Sequence, residues 1–165
     1  MGTLNLGSGL GGTIGLGNIT LTGNGAIQGR VVFAARQNGT GSGTNNVEAI
    51  QVYQTEHIDT YNAYNNTTGI FTVPVTGVYF LYAQLMGNNN DARSVHYISK
   101  STDGGSSWSY LVQFGGQAKQ YNQFTTHVIA SLNQNDQVAV KNSSYANNLY
   151  LNCNQEAVFG GFLLG

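Results

Sequence analysis

Apolar side chains in this sequence recur at every second position, in short runs closed by Gly, Asn, Asp or Pro. No window sustains the three-to-four spacing of a capped amphipathic helix, so an all-β chain with essentially no helix is expected. Expected strands are Val31–Arg36, Val47–Tyr53, Ile70–Val75, Val78–Met86, Val95–Lys100 and Trp108–Phe114. Further strands follow at Phe124–Leu132, through Val138 and Val140, at Tyr150–Cys153 and at Val158–Leu164. Gln37–Asn46 is too polar for a core and reads as a loop, and Thr102-Asp103-Gly104-Gly105 reads as a hairpin turn. Short strands with turns this frequent make a sandwich or a barrel.

Two strands carry more than their type. In Val78–Met86 both alternating sets are apolar or aromatic, with Tyr79, Leu81, Ala83 and Leu85 on one face and Val78, Phe80 and Tyr82 on the other. Val158–Leu164 is apolar throughout. A sandwich strand that is wet on one side should alternate with polar residues. A patch built from two such strands is too large to leave in water, and another copy of the chain is its expected cover. Tyr79, Phe80, Leu81, Tyr82, Phe159 and Phe162 are accordingly the candidate subunit contacts.

The first 29 residues differ from the rest, with ten glycines among them and only short alternating pieces between. No piece is long enough to bury a face alone. Met1–Gly29 is therefore expected to be an arm, ordered against a neighbouring subunit or a larger surface; a floppy leader is the alternative. Residues 30–165 are expected to form the head domain. No apolar start suggests a secretory leader and no run is long enough to span a bilayer, so membrane insertion is not expected.

Charge narrows the partners. Charged residues are 8% of the chain and the net charge is −1, which offers no basic stripe for nucleic acid and no polybasic membrane patch. The single cysteine, Cys153, excludes an internally disulfide-stapled mini-domain and reads as a small buried residue.

The stretch Tyr53 to Ala83 resembles the signature of the complement C1q globular-head family, within the tumour necrosis factor superfamily. Tyr53, Asp59, Tyr64, Phe71, Gly77 and Tyr79 stand at its fixed separations, within the words Phe71-Thr72-Val73-Pro74 and Gly77-Val78-Tyr79-Phe80. Leu132-Asn133-Gln134-Asn135-Asp136-Gln137-Val138 is similar to the family's later turn, and Phe159–Leu164 to its close. Tyr53 and Leu81 replace Phe, Ala83 replaces an aromatic, and Asn135 stands where Gly is usual. The resemblance implies a ten-stranded jelly-roll sandwich that assembles as a compact trimer. Within the matched words, Thr68-Gly69 should close a turn, Pro74 should end a strand and Gly77 should permit a sharp reversal.

Little else suggests chemistry. Ser101–Trp108 resembles the Asp-box hairpin of sialidases, in which Asp accepts turn amides, Gly takes a positive φ and Trp packs back over the turn. One copy reads first as architecture, although the loop could present Trp108 and Tyr110 to a sugar. The candidate ligand-binding residues are Asn88, Asn89, Asn90, Asp91, Asp103, Trp108 and Tyr110. His57, His96 and His127 are scattered without metal-ligand spacing. For Ca²⁺, which some complement-type heads hold at the trimer apex, Asp91 is the one carboxylate in a suitable loop. No cofactor and no catalytic constellation is expected. Glycosylation-type triplets stand at Asn18, Asn38, Asn65, Asn66 and Asn142, as an Asn- and Thr-rich composition would produce by itself.

The expected function is that of a non-enzymatic trimeric surface protein of a phage virion: a fibre, knob or capsid decoration. Its arm would attach to other virion proteins, and its head would face outward, toward cell-surface polysaccharide. A secreted C1q-like glycan- or protein-binding module is the alternative.

Overall fold

A computed structural model describes residues 31–38, 48–86, 92–118, 122–143 and 157–165. Among them are ten strands: β1 (Val32–Arg36), β2 (Thr55–Asp59), β3 (Tyr64–Asn65), β4 (Ile70–Thr72) and β5 (Gly77–Met86), then β6 (Ala92–Ser101), β7 (Ser109–Ala118), β8 (Gln123–Leu132), β9 (Gln137–Asn142) and β10 (Val158–Leu163). They form two five-stranded antiparallel sheets, ordered β2-β1-β10-β5-β8 and β3-β4-β9-β6-β7. The all-β expectation holds, and the interleaved strand order is that of a jelly-roll sandwich. The expected arm Met1–Gly29, Val47, most of the polar loop, Asn88–Asp91 and the expected strand Tyr150–Cys153 lie outside the described residues.

Phe33 of β1 sits at the centre of the core. Its ring stacks on Phe71 of the opposite sheet, 4.0 Å between centroids at 10°, and Phe159 meets it edge-on at 5.0 Å. Gly161 makes the room: a Cβ there would fall 2.7 Å from the Phe80 carbonyl oxygen and 3.1 Å from the Phe33 ring. Contacts that close fix the residue as glycine.

The matched words of the sequence turn out to be wiring. Asp59 accepts the amides of Tyr61 and Tyr64 at 3.2 and 2.7 Å. The Tyr64 hydroxyl accepts from the Tyr53 amide and donates to the Tyr53 carbonyl, both at 3.1 Å. Tyr79 donates its hydroxyl to the Val75 carbonyl at 2.6 Å. Asn135 adopts φ +72°, a left-handed conformation that Asn tolerates where the family usually has Gly, while its amide donates to Val73 and Asp136 accepts from the Asn133 amide.

Two expectations change, and one strand forms that was not expected. Residues 48–53 form no strand; only Ile50 bridges to Lys141. The edge of β9 is already taken by β4 at Phe71 and Thr72, which leaves the segment a short stretch beyond it. The strand that does form is β2, an edge strand of mostly exposed polar residues with no alternation to announce it. Gly77 does not make a reversal: it opens β5, where a Cβ would meet the Gly165 carbonyl oxygen at 2.9 Å as well as Leu163 Cδ1 at 2.5 Å.

Candidate functional site

Strand β5 sorts its two apolar sets. Tyr79, Leu81, Ala83 and Leu85 point between the sheets and are buried, while Val78, Phe80 and Tyr82 point away from the sandwich. Register then extends the outward face across the neighbouring strands. Phe162 of β10 and Ile129 of β8 both stand opposite Phe80, and His127 stands opposite Tyr82. The Phe80 ring lies 5.3 Å from Phe162 on one side and 5.6 Å from His127 on the other. Ile129 is 62% exposed, Leu164 51% and Phe162 42%. A continuous apolar face thus lies in water on the first sheet.

This division corrects half of the contact set. Tyr79, Leu81 and Phe159 are fully buried inside the protomer and belong to its core, so a second subunit cannot reach them. Phe80, Tyr82 and Phe162 remain on the outward face, with Val78, Ile129, His127 and Leu164 beside them. Sequence reasoning missed Ile129. Its signal was an apolar residue among the polar partners of the Phe124–Leu132 alternation.

The hairpin between β6 and β7 is built from its own side chains. Asp103 accepts the Ser107 amide at 2.9 Å, the Ser107 hydroxyl, and the Ser101 hydroxyl at 2.7 Å. The Ser107 hydroxyl, then its amide, then the Ser101 hydroxyl hold the Asp103 carboxyl down at about 2. Ser101 Oγ accepts the Gly105 amide at 2.8 Å, and the Trp108 indole N–H donates to the Gly105 carbonyl at 3.0 Å. Gly104 and Gly105 take φ of +70° and +92°. The Asp103 carboxylate is therefore committed to its turn.

Beyond the turn the side chains pass onto the outer face of the second sheet. Tyr110 stacks flat on Tyr97, 3.8 Å between centroids at 10°, and donates its hydroxyl to Glu48 at 3.2 Å. Lys141 Nζ lies 3.8 Å from the other oxygen of Glu48 and 5.6 Å from the Trp108 ring centroid. Tyr97 and Lys141, brought to Tyr110 by strand pairing, and Glu48, brought there by the segment before β2, carry no signal as site residues in the sequence. Of the sequence candidates, Trp108 and Tyr110 share this surface, Asp103 lies at the hairpin tip, and Asn88, Asn89, Asn90 and Asp91 lie outside the described residues.

His96 is buried between Phe114 and Phe124, with Nδ1 3.0 Å from Asn142 Oδ1. Burial pushes its pKa down to about 4, against the opposing pull of the Asn142 bond. Among the described residues no three His, Cys, Asp or Glu side chains gather as a metal site would require.

The sequence profile of the C1q domain matches residues 32–164. Comparison with curated protein sequences returns no match. The globular domain of zebrafish complement 1qA protein aligns over 82% of this chain and 98% of its own, at 17% identity and a TM-score of 0.63. Murine APRIL aligns over 81% and 98%, at 20% identity and a TM-score of 0.64. The Eiger TNF of S. frugiperda aligns over 82% and 92%, at 16% identity and a TM-score of 0.63. These likenesses bear on the fold.

Proposed function

The chain belongs to the C1q domain family, and from that premise we propose a non-enzymatic homotrimeric recognition module closed through the outward face of the first sheet. The observation that carries this is the apolar surface of Val78, Phe80, Ile129, Phe162 and Leu164, each exposed in the single protomer or half-buried there. Removing such a surface from water contributes roughly 25 cal/mol per Å². Family members assemble as trimers, and a rotational trimer would bring three copies of this face around one axis. Among the described residues His127 stacks on Phe80, and the surrounding Val78, Ile129, Phe162 and Leu164 are uncharged, so the contact depends little on charge.

We further read the module as a surface protein of a phage virion, with Met1–Gly29 as the attachment arm and the head directed outward. The neutral, Gly-rich composition of the arm supports this, since it suits ordering on a template and lacks the Gly-X-Y period of a collagen stalk. A second reading, a secreted recognition module, draws support from the glycosylation-type triplets at Asn38, Asn65 and Asn66, all exposed.

Light scattering on the full chain tests the assembly. A trimer at micromolar concentration that persists in 1 M salt is the expected result, because apolar burial is not screened (roughly a 3 Å Debye length at that salt). Ile129→Asp with Phe162→Asp should yield folded monomer. A wild-type chain that stays monomeric would overturn the reading. Mass spectrometry of purified phage particles decides the virion setting, and glycopeptide mapping after eukaryotic secretion decides the alternative.

A further inference from the structure

The half-exposed ring of Tyr110 has a partner on one face and another at its hydroxyl. It is 52% exposed, yet it is pinned on one face by the parallel Tyr97 ring and at its hydroxyl by Glu48. Glu48 is pinned in turn by Lys141, whose ammonium leans toward Trp108. The Trp108 ring is fixed by its indole N–H bond to Gly105. Each link fixes the next. A surface tyrosine left to itself would sample several rotamers, and immobilising it on binding costs conformational entropy. Here the Tyr97 stack and the Glu48 bond supply part of that ordering before any ligand arrives.

From this geometry we propose a saccharide-binding site on the outer face of the second sheet, formed by Tyr110 and Trp108 with Glu48 and Lys141, for a neutral pyranose chain. The inference rests on the recognition reading above and gives it a ligand class. Flat aromatic faces cover the apolar C–H surface of a pyranose ring. Glu48 supplies carboxylate acceptors and Lys141 ammonium donors for hydroxyl groups beside that ring. The two charges cancel, so the site draws neither an anionic nor a cationic polymer, which matches a chain with 8% charged residues. Nucleic acid would need cations for its phosphates, and Lys141 is already paired. The Tyr97 ring serves as a positioning residue behind Tyr110. With the first sheet turned to the axis, the three sites lie around the outside of the trimer, each weak alone, and a target that reaches more than one of them gains avidity.

The chain's single tryptophan gives a direct readout, because Trp108 lies in the proposed site. The full chain would be titrated with maltoheptaose, cellohexaose, chitohexaose and a linear galactan oligosaccharide while Trp108 emission is followed, with oligomeric state measured on the same samples. At least one oligosaccharide should shift the emission, with half-saturation at millimolar concentration or below. Tyr110→Ala should weaken that binding at least tenfold, while Tyr110→Phe, which keeps the ring and loses the Glu48 bond, should weaken it severalfold. Both variants should keep the melting behaviour and oligomeric state of the parent. Emission unmoved by every oligosaccharide, or Tyr110→Ala binding as well as the parent, overturns the site. A monomer that still binds leaves the site standing and removes only the trimer; a trimer that never binds does the reverse.

Discussion

Phe80 and Phe162 meet on the outward face of the first sheet, 5.3 Å between ring centroids, with the backbones of the two residues paired in register. One position along each strand, Tyr79 pairs with Leu163, and both are buried in the protomer. The two faces of β5 thus do different work, one closing a core and the other offering a contact.

Substitution should separate them. Tyr79→Ala removes a buried ring and its hydrogen bond to Val75, and should destabilise the protomer by roughly 3–5 kcal/mol. Phe162→Ala removes a ring that is 42% exposed in the protomer and should cost the isolated fold about 1 kcal/mol while weakening assembly. Denaturation and light scattering on each variant check this. Equal losses in protomer stability would show that Phe162 is also a core residue.

Gly161 should tolerate no side chain. A Cβ would stand 2.7 Å from the Phe80 carbonyl and 2.8 Å from Leu81 Cδ2, in the middle of a strand paired on both sides. Gly161→Ala must shift β10 against β5 or displace Phe33, and overpacking of that kind costs about 1–3 kcal/mol. A drop in thermal midpoint is expected, with the outward face disturbed as well because β10 carries Phe162. A midpoint equal to the parent's would mean that the strands separate freely there.

Much of this was legible beforehand, and the limits have physical causes. The type and position of β8 follow from alternation and those of β5 and β10 from short continuous apolar runs, while the turn at Asn133–Asp136 is implied by the family resemblance of Leu132–Val138. Which face of β5 points inward did not follow, since Tyr79 and Phe80 are both aromatic and only the opposite sheet decides between them. Thr55–Asp59 pairs as an edge strand through backbone bonds alone, leaving no hydrophobic signature. The Tyr97–Tyr110 stack was beyond local reading for another reason. Val112 pairs with Ile98 and Tyr110 with Ser99, so Leu111 is an extra residue at a bulge, and the shift brings Tyr110 diagonally against Tyr97. Sequence spacing does not announce such a bulge.

Asp103 should titrate far below an ordinary carboxylate. Its oxygens accept from the Ser107 hydroxyl and amide and the Ser101 hydroxyl, so its midpoint should fall at about 2 despite full exposure. Carbon-detected NMR of the side-chain carboxyl measures this directly, and Ser107→Ala should raise the midpoint toward the usual value of about 3.9. Because the folded value is depressed, the turn's stabilisation is present above the unfolded value and fades as pH falls toward 2. A midpoint near that of a free aspartate would mean the hairpin bonds do not persist in solution.

His96 should make the fold acid-sensitive in a defined window. Burial between Phe114 and Phe124 lowers its folded-state pKa to about 4, whereas the unfolded chain takes up a proton near 6.5. Between those values the unfolded state binds more protons, so stability is full above about 6.5 and declines as pH falls toward 4. At about 1.4 kcal/mol per pH unit, the whole decline from this residue amounts to roughly 3 kcal/mol, levelling off below 4. Denaturant unfolding at several pH values would measure it, and His96→Gln serves as the reference because it retains a polar group near Asn142 without titrating. The carboxylates contribute to both proteins alike, so the difference between their pH profiles isolates the histidine. Profiles that run parallel from pH 7 to 4 would mean that His96 is solvated or already charged in the folded protein, and that its place between the two Phe rings does not exclude water.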